Sequence, residues 1–271
     1  MAHIKSIRKI YSDGRHNASA YIEHWKGYYY VVFRNANGHA RPGPDEVQGK
    51  LFIFRSRDLK EWEFCARVSK KGDDGPSALL NLGNELGVYF CSLFPADPNQ
   101  GVYEGGLGAK PDVVQSHMAF TSNGTSWSQP EPVHEFNYVF WRVERFGDDC
   151  YATSWGYAEN KGTLKIVHSP DGHTWENVTA IQPGNFPNET GLWITDDQKM
   201  HLISREHTTE MSVLSESEPP YKDWQFKELN YTVHCPVLRP VGDELWVAGK
   251  TITAQFPSSV EIPPEPSPEK I

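Results

Sequence analysis

Two arginines stand at matching places in the sequence, each at the end of an apolar run that is typical of a β-strand. Arg34 ends the run YYYVVFR, and Arg205 ends the run KMHLISR. A guanidinium group binds a carboxylate through two parallel hydrogen bonds, so two such groups brought together would form an anion site. The alternative is that each arginine is solvated or paired with a carboxylate of the protein itself.

Three carboxylates are candidates for proton transfer. Asp73 and Asp74 stand in the stretch GDDGP, and Glu189 stands in PNET. Hydrolysis of a glycosidic bond uses a pair of carboxyl groups roughly 5–10 Å apart. Aspartates are equally common in turns, where they accept backbone hydrogen bonds, and Glu189 has a structural alternative of the same kind.

Aromatic and histidine side chains are candidates for contact with a sugar. Trp141 and Arg142 lie in the aromatic run NYVFWRV, where stacking on a sugar ring and packing in the core are equally good explanations. His16 and His39 flank the first apolar hairpin and are further candidates for substrate contact. Four other histidines lack the spacing of metal ligands, and we expect neither a metal site nor a cofactor: His168, His173, His201 and His207.

The composition predicts a β-rich protein and excludes several functional classes. Of 271 residues, 13% are aromatic, and 22 glycines and 20 prolines interrupt the apolar runs, as in proteins with short strands and tight turns. The formal net charge of −9 argues against a nucleic-acid partner, which requires a basic surface. No apolar run is long enough to span a membrane. The N-terminus shows no apolar segment of a signal peptide, which leaves the cytoplasm as the default compartment.

Two repeats alternate along the chain. The first is a strand that ends in Ser or Thr, continues through a turn with Asp or Asn, and reaches a tryptophan a few residues later. Copies lie at 50–62, 117–127 and 164–175, and a weaker copy lies at 211–224. The second repeat is a tight hairpin with a polar turn, and it occurs at 19–34, 78–94, 139–155, 191–205 and 236–250.

These repeats predict an all-β fold, a β-propeller whose blades are four-stranded antiparallel sheets. In each blade the hairpin supplies the two inner strands, and the tryptophan-containing turn joins the two outer ones through side-chain hydrogen bonds to turn amides. We expect Trp62, Trp127 and Trp175 between neighbouring blades. We assign 1–251 to one propeller domain with an incomplete last blade and 252–271 to a proline-rich tail. Either the ring closes irregularly or this chain lacks its last part.

The repeated turns resemble the Asp box, or BNR repeat, of the sialidase superfamily. The stretches 16–39, 187–206 and 244–250 are similar to segments of bacterial exo-sialidase-like glycoside hydrolases, so that the resemblance covers about residues 15–250. It implies a six-bladed propeller in which Arg34 and Arg205 hold the carboxylate of a terminal sialic acid. It further implies that Asp73 or Asp74 is the acid/base and that Glu189 activates a tyrosine nucleophile.

The sequence departs from the family pattern at three places. Lys250 stands where a third arginine is expected, and a lysine keeps the charge without the bidentate fork. Gly75 stands where relatives often carry an arginine beside the acid/base. The segment that carries the nucleophilic tyrosine has no counterpart, so we expect this chain as it stands to be inactive on aryl sialosides.

Three functions are compatible with the sequence. The first is a sialidase-like glycoside hydrolase acting on a terminal, anionic sugar. The second is a propeller hydrolase that uses a carboxylate pair such as Asp74 and Glu189 on another sugar. The third is a propeller that binds carbohydrate without catalysis. All three predict a carbohydrate partner, and the convergence of Arg34 and Arg205 at one mouth would favour an anionic ligand.

Overall fold

The protein is described by a computed structural model, which covers residues 6–39, 48–70, 72–94, 113–158, 161–209 and 211–250. Every regular element in these ranges is a β-strand, and none of them contains a helix that could cross a membrane. The strands are β1 (His16–Trp25), β2 (Tyr28–Ala36), β3 (Lys50–Ser56), β4 (Glu63–Val68), β5 (Asp73–Asn81), β6 (Leu86–Phe94), β7 (Val113–Thr121), β8 (Glu131–Pro132), β9 (Tyr138–Phe146), β10 (Asp149–Ala158), β11 (Lys161–Ser169), β12 (Glu176–Ile181), β13 (Pro187–Ile194), β14 (Met200–Glu206), β15 (Ser212–Ser217), β16 (Gln225–Glu228), β17 (His234–Val241) and β18 (Glu244–Lys250).

The strands form four antiparallel four-stranded sheets and one two-stranded sheet. Within each sheet the strands lie side by side in chain order, so that β1–β4, β5–β8, β9–β12 and β13–β16 are four blades, and β17–β18 form a fifth hairpin. The five predicted hairpins are therefore present, and each supplies the two inner strands of its sheet. This arrangement confirms the predicted β-propeller.

In the first three blades, the turns between the third and fourth strands share one pattern of hydrogen bonds. In the first blade, Asp58 Oδ1 accepts hydrogen bonds from the backbone N–H groups of Lys60 at 2.8 Å and Glu61 at 3.0 Å. Asn123 and Asp171 accept equivalent pairs of backbone hydrogen bonds in the second and third blades. These amides favour the charged carboxylate and lower the pKa of Asp58 and Asp171. The polar turn residues therefore stabilise the turns, as the sequence predicts.

The core lies between the faces of neighbouring sheets. Trp175 packs edge-on against Phe140 and Tyr89, with ring centroids 4.9 and 5.8 Å apart, so its indole joins the third blade to the second. Trp62 differs from this prediction. It packs in a separate cluster with Phe33 and Tyr11, on the face of the first sheet that points away from the second. Among the described residues, its environment therefore includes the chain segment before β1.

The innermost strands of the five sheets determine which residues meet near the axis. Neighbouring innermost strands contact each other in chain order, from β1 through β5, β9 and β13 to β17. Trp25 Nε1, at the end of β1, donates to Gly83 O in the turn after β5 at 2.8 Å. The start of β17 contacts the start of β13 through Cys235 and Glu189. The innermost strands therefore begin at one end of the propeller, which we call the mouth, and end at the other.

Candidate functional site

Each innermost strand carries an irregularity close to the mouth. In four of the five hairpins, two residues of the innermost strand lie opposite one residue of its partner: Ser19–Ala20, Gly75–Pro76, Asn188–Glu189 and Cys235–Pro236. In β9 the extra residue is Trp141. Bulges redirect side chains and end regular pairing, and they are frequent next to active sites. Glu189 and Trp141, two of the predicted site residues, lie on these bulges. Their side chains therefore depart from the regular alternation between the two faces of the sheet.

Arg34 and Asp73 form a buried pair at the mouth end of the first and second blades. Arg34 donates to Asp73 Oδ1 from Nη2 at 2.8 Å and from Nε at 3.2 Å, and Nη1 donates to Gly38 O at 2.9 Å. The backbone N–H of Gly49 also donates to Asp73 Oδ1 at 2.8 Å. The charge of Arg34 is therefore compensated by the protein itself. Gly75 is required here, because a Cβ atom on it would lie 2.8 Å from the Arg34 side chain.

Asp74 points away from this pair and is completely buried. Its carboxylate accepts hydrogen bonds from Ser69 Oγ at 2.6 Å, Ser92 Oγ at 2.7 Å and the backbone N–H of Lys70 at 3.1 Å. Burial raises its pKa, while these donors act in the opposite direction. On the far side of Ser92 lies His117, whose pKa burial lowers to about 4. The Asp74 carboxylate is therefore held by Ser92 of the second blade, by the segment that precedes this blade and by Lys50 Nζ of β3 at 3.8 Å.

Glu189 and Arg205 face each other across the bulge of the fourth blade. Glu189 Oε1 lies 3.5 Å from Arg205 Nη1, and the two side chains are 19% and 17% exposed. Glu189 Oε2 accepts a hydrogen bond from the backbone N–H of Cys235 at 2.8 Å, and Arg205 Nη2 lies 3.2 Å from His207 Nδ1. This pair is more accessible than the Arg34–Asp73 pair. Burial of the thiol and the Glu189 charge raise the pKa of Cys235 to about 11, so this cysteine stays protonated at neutral pH.

Arg142 lies beside this pair, and the charge of Glu144 acts on it without a direct ion pair. It is buried, its guanidinium lies 5.2 Å from the centre of the Tyr21 ring, and burial lowers its pKa. Its Nε atom has no hydrogen-bond partner, and Arg142 forms no ion pair, among the described residues. Arg142 and Arg205 are both close enough to the Cys235 thiol to act on its pKa. The mouth side of the third and fourth blades therefore contains a buried guanidinium that forms no direct ion pair among the described residues.

Further buried polar atoms near the mouth lack hydrogen-bond partners within the part of the chain that the structure describes. Among them are Nε1 of Trp141 and Oδ1 of Asn188, on the bulges of β9 and β13. Trp141 packs with Cys91 and Val139, so most of its ring belongs to the core. Buried polar atoms are nearly always satisfied in folded proteins, and unsatisfied ones at one place indicate a site for a ligand or for water.

The remaining predicted contacts lie at the same end of the propeller. The rings of His16 and His39 are 5.2 Å apart, and burial, His39 and Arg34 together lower the pKa of His16. Lys250 is exposed and pairs in register with His234 at the start of β17. The predicted residues thus fall into two groups. Arg34 and Asp73 lie with the two histidines, whereas Glu189 and Arg205 lie with Arg142.

A polar cluster near the axis of the propeller, between the innermost strands, was not predicted from the sequence. We call the space between these strands the channel. Arg239 of β17 donates from Nη1 to Glu144 Oε1 at 2.7 Å and from Nη2 to the Tyr21 hydroxyl at 3.2 Å. Its guanidinium also lies 5.0 Å from the centre of the Trp193 ring. The cluster therefore joins β1, β9, β13 and β17 across the axis. The sequence does place charged residues within apolar strand runs. Because charged residues are rarely buried without a partner, this pattern could have indicated that some of them pair with each other.

The geometry offers several candidate groups for binding an anion and no cluster for a metal. Among the described residues, no three His, Cys, Asp or Glu side chains are placed to hold a metal ion together.

No protein-family profile and no functionally curated protein matches this sequence. The fold is similar to solved structures of glycoside hydrolases. A GH32 β-fructofuranosidase of Bombyx mori has a TM-score of 0.60 and 13% identity, over 84% of this chain and 55% of that one. A mutant sialidase of Trypanosoma rangeli that displays trans-sialidase activity has a TM-score of 0.58 and 13% identity, over 85% of this chain and 42% of that one. A GH43 α-L-arabinofuranosidase of Clostridium thermocellum has a TM-score of 0.55 and 12% identity, over 86% of this chain and 82% of that one.

These similarities show the propeller fold that the chain shares with glycoside hydrolases. The chain spans about half of the silkworm enzyme, 55% of its length.

Proposed function

We propose that this protein is a sialidase-like glycoside hydrolase that binds a terminal, anionic sugar at the mouth of the propeller. The substrate class is a glycoside whose terminal residue carries a carboxylate. The fold shared with sugar-hydrolysing propellers supports the reaction type, and the arginines near the mouth support the charge of the ligand.

The observation that carries this proposal is that the buried guanidinium of Arg142 has no direct ion pair and an unsatisfied Nε among the described residues. A buried guanidinium without a directly paired carboxylate is costly, because the protein interior solvates a charge poorly. A ligand carboxylate would remove that cost by neutralising the group, and the partly exposed Arg205 would supply a second guanidinium. Arg34 contributes less in this arrangement, since Asp73 already neutralises it.

Within this proposal Glu189 is the carboxylate that takes part in the reaction. It is partly exposed, and it lies beside both Arg205 and the bulge of β17. Asp73 and Asp74 remain the candidates for the acid/base, and Asp74 would have to leave its three hydrogen bonds in order to reach a substrate. Lys250, His39 and Trp141 are proposed as further contacts to the sugar.

Binding of the methyl α-glycoside of N-acetylneuraminic acid, measured by isothermal titration calorimetry, tests the charge of the ligand. Arg142→Ala and Arg205→Ala should each weaken binding by about 1.5–3 kcal/mol, the contribution of a hydrogen bond to a charged group. Arg145→Ala is a matched control, because Arg145 lies on the same strand at the far end from the mouth. Unchanged affinity in both mouth variants would contradict the proposal.

Hydrolysis of an aryl sialoside tests the reaction separately from binding. Glu189→Gln removes the charge and keeps the shape, so it should preserve binding and abolish whatever turnover the parent chain shows.

A second candidate function is carbohydrate binding without catalysis. The specific observation in its favour is that Asp73 and Asp74 are both buried and both accept hydrogen bonds from protein donors. Binding of the sialoside with no turnover by the parent chain would favour this second function.

A further inference from the structure

A second depression lies outside the mouth, between the second and third blades. It has a volume of about 410 Å³ and is lined by side chains from the β5–β6 turn, from β7 and β8, and from the turns that follow β7 and β11. These turns lie at the opposite end of the innermost hairpins from the mouth, because β5 ends where the β5–β6 turn begins. We call this depression the turn cavity. Its volume falls within the range of small-molecule sites, about 300–1,000 Å³.

One wall of the turn cavity is a fixed pair of flat rings. The rings of Phe120 and His173 stack with centroids 3.9 Å apart and an interplanar angle of 26°. His173 Nε2 lies 3.2 Å from Glu85 Oε2, so a carboxylate holds the imidazole against the phenyl ring. The wall therefore combines an apolar surface with a polar edge, which is the arrangement that amphipathic ligands require.

Apart from Met118, the rest of the lining is polar, and the ammonium group of Lys26 donates to the backbone oxygen of Ser122, a lining residue, at 2.9 Å. Glu131 lies on β8 next to Met118 of β7, and the turn supplies the exposed side chains of Ser126 and Gln129. Carboxylates accept hydrogen bonds, and serine and glutamine side chains both donate and accept them. Because the lining contributes the two carboxylates of Glu85 and Glu131, and Lys26 already donates to the backbone, the cavity favours a neutral ligand over an anionic one.

A neutral sugar residue matches these properties. Its hydroxyl groups can donate to the two carboxylates and exchange hydrogen bonds with Ser126 and Gln129, while its C–H face can pack on an apolar wall. We propose that the turn cavity is a second saccharide site, which takes a neutral sugar residue. The site is independent of the mouth, because it shares no residue with the groups around Arg34, Arg142 and Arg205 and lies at the other end of the strands.

Saturation-transfer NMR with lactose, maltose and cellobiose tests this site on the full chain. We expect at least one of these neutral disaccharides to receive saturation from the parent protein. Addition of the sialoside that is proposed to bind the mouth should not displace this disaccharide. Glu131→Ala should weaken its affinity by roughly tenfold or more, the effect of losing a hydrogen bond to a charged group. Ser126→Arg should abolish binding by filling the cavity, and it changes an exposed side chain that the fold does not need.

Two control variants separate the outcomes. Glu228→Ala removes an exposed glutamate from the last strand of the fourth blade, and Arg205→Ala alters the mouth, so both should retain binding of the neutral sugar. The proposal is overturned if no disaccharide of the panel receives saturation, or if Glu131→Ala and Ser126→Arg bind as the parent does. Because Arg205→Ala addresses only the mouth, failure of the anionic-sugar proposal would be seen separately.

Discussion

The ion pair inside the channel provides the strongest quantitative test of this structure. Glu144 is 12% exposed and Arg239 is 40% exposed, and burial raises the pKa of Glu144 to about 7 despite the nearby guanidinium. Arg239→Ala would leave a buried carboxylate without its cation. Removing one partner of a fully buried pair costs about 3–5 kcal/mol. Since Arg239 is partly exposed, we expect a loss of about 2–3 kcal/mol in the free energy of unfolding at pH 8.

The loss should depend on pH in a defined direction. The pKa of Glu144 in the folded protein is raised above its usual value of 4.5, so its contribution to stability is complete below about pH 4.5 and is lost as the pH rises through about 7. Removal of Arg239 raises this pKa further, because the charged form loses its main attraction. At pH 5.5 the carboxyl group is protonated, and the variant should lose only about 1 kcal/mol, the value of one hydrogen bond.

Urea unfolding at pH 5.5 and pH 8 measures both values. Arg145→Ala is the matched control, because Arg145 is 38% exposed and pairs at 3.6 Å with a fully exposed aspartate. That variant should change stability by less than about 0.5 kcal/mol at either pH. The double variant Glu144→Gln/Arg239→Ala should be more stable at pH 8 than Arg239→Ala alone. Equal losses for the two arginine variants, or a loss for Arg239→Ala that is the same at both pH values, would refute the reasoning.

Three further predictions concern the core and the second blade. Trp175→Ala should destabilise the protein by about 3–5 kcal/mol in urea unfolding, because the indole fills the space between two blades. Gly75→Ala should lower the free energy of unfolding by about 1–3 kcal/mol, because Gly75 has a φ of 131° and packs on the Arg34 side chain. Gly147→Ala should lower it by at most about 1 kcal/mol, since the space around Gly147 is open. An equal effect of the two glycine substitutions would contradict this. The His117 imidazole should titrate near pH 4 by NMR. Because the unfolded chain then binds the proton more strongly than the folded protein, the free energy of unfolding should fall as the pH drops from about 6.5 towards 4. A titration of His117 near pH 6.5 would exclude this effect of burial.

The blade architecture could be predicted from the sequence because its determinants are local. Strand alternation, polar hairpin turns and the Ser-x-Asp pattern before a tryptophan each act within a few residues. The side chains of Asp58 and Asp171 accept hydrogen bonds from the serine hydroxyl two residues before them and from backbone groups two and three residues further on, so their role is contained in the local sequence. The roles of Arg34, Glu189 and the other site residues remain proposals, although their position near the mouth follows from the same repeat.

The pairing of charged groups was decided by the tertiary structure alone. Whether Arg34 is free or bound to Asp73, and whether Arg142 has a carboxylate nearby, depends on contacts between residues that are far apart in the chain. Arg239 reaches Tyr21 across more than two hundred residues, and no local pattern encodes that contact. The physical reason is that a charge is stabilised or destabilised by everything within a few ångströms of it, and only the packing of the blades against one another brings those groups together.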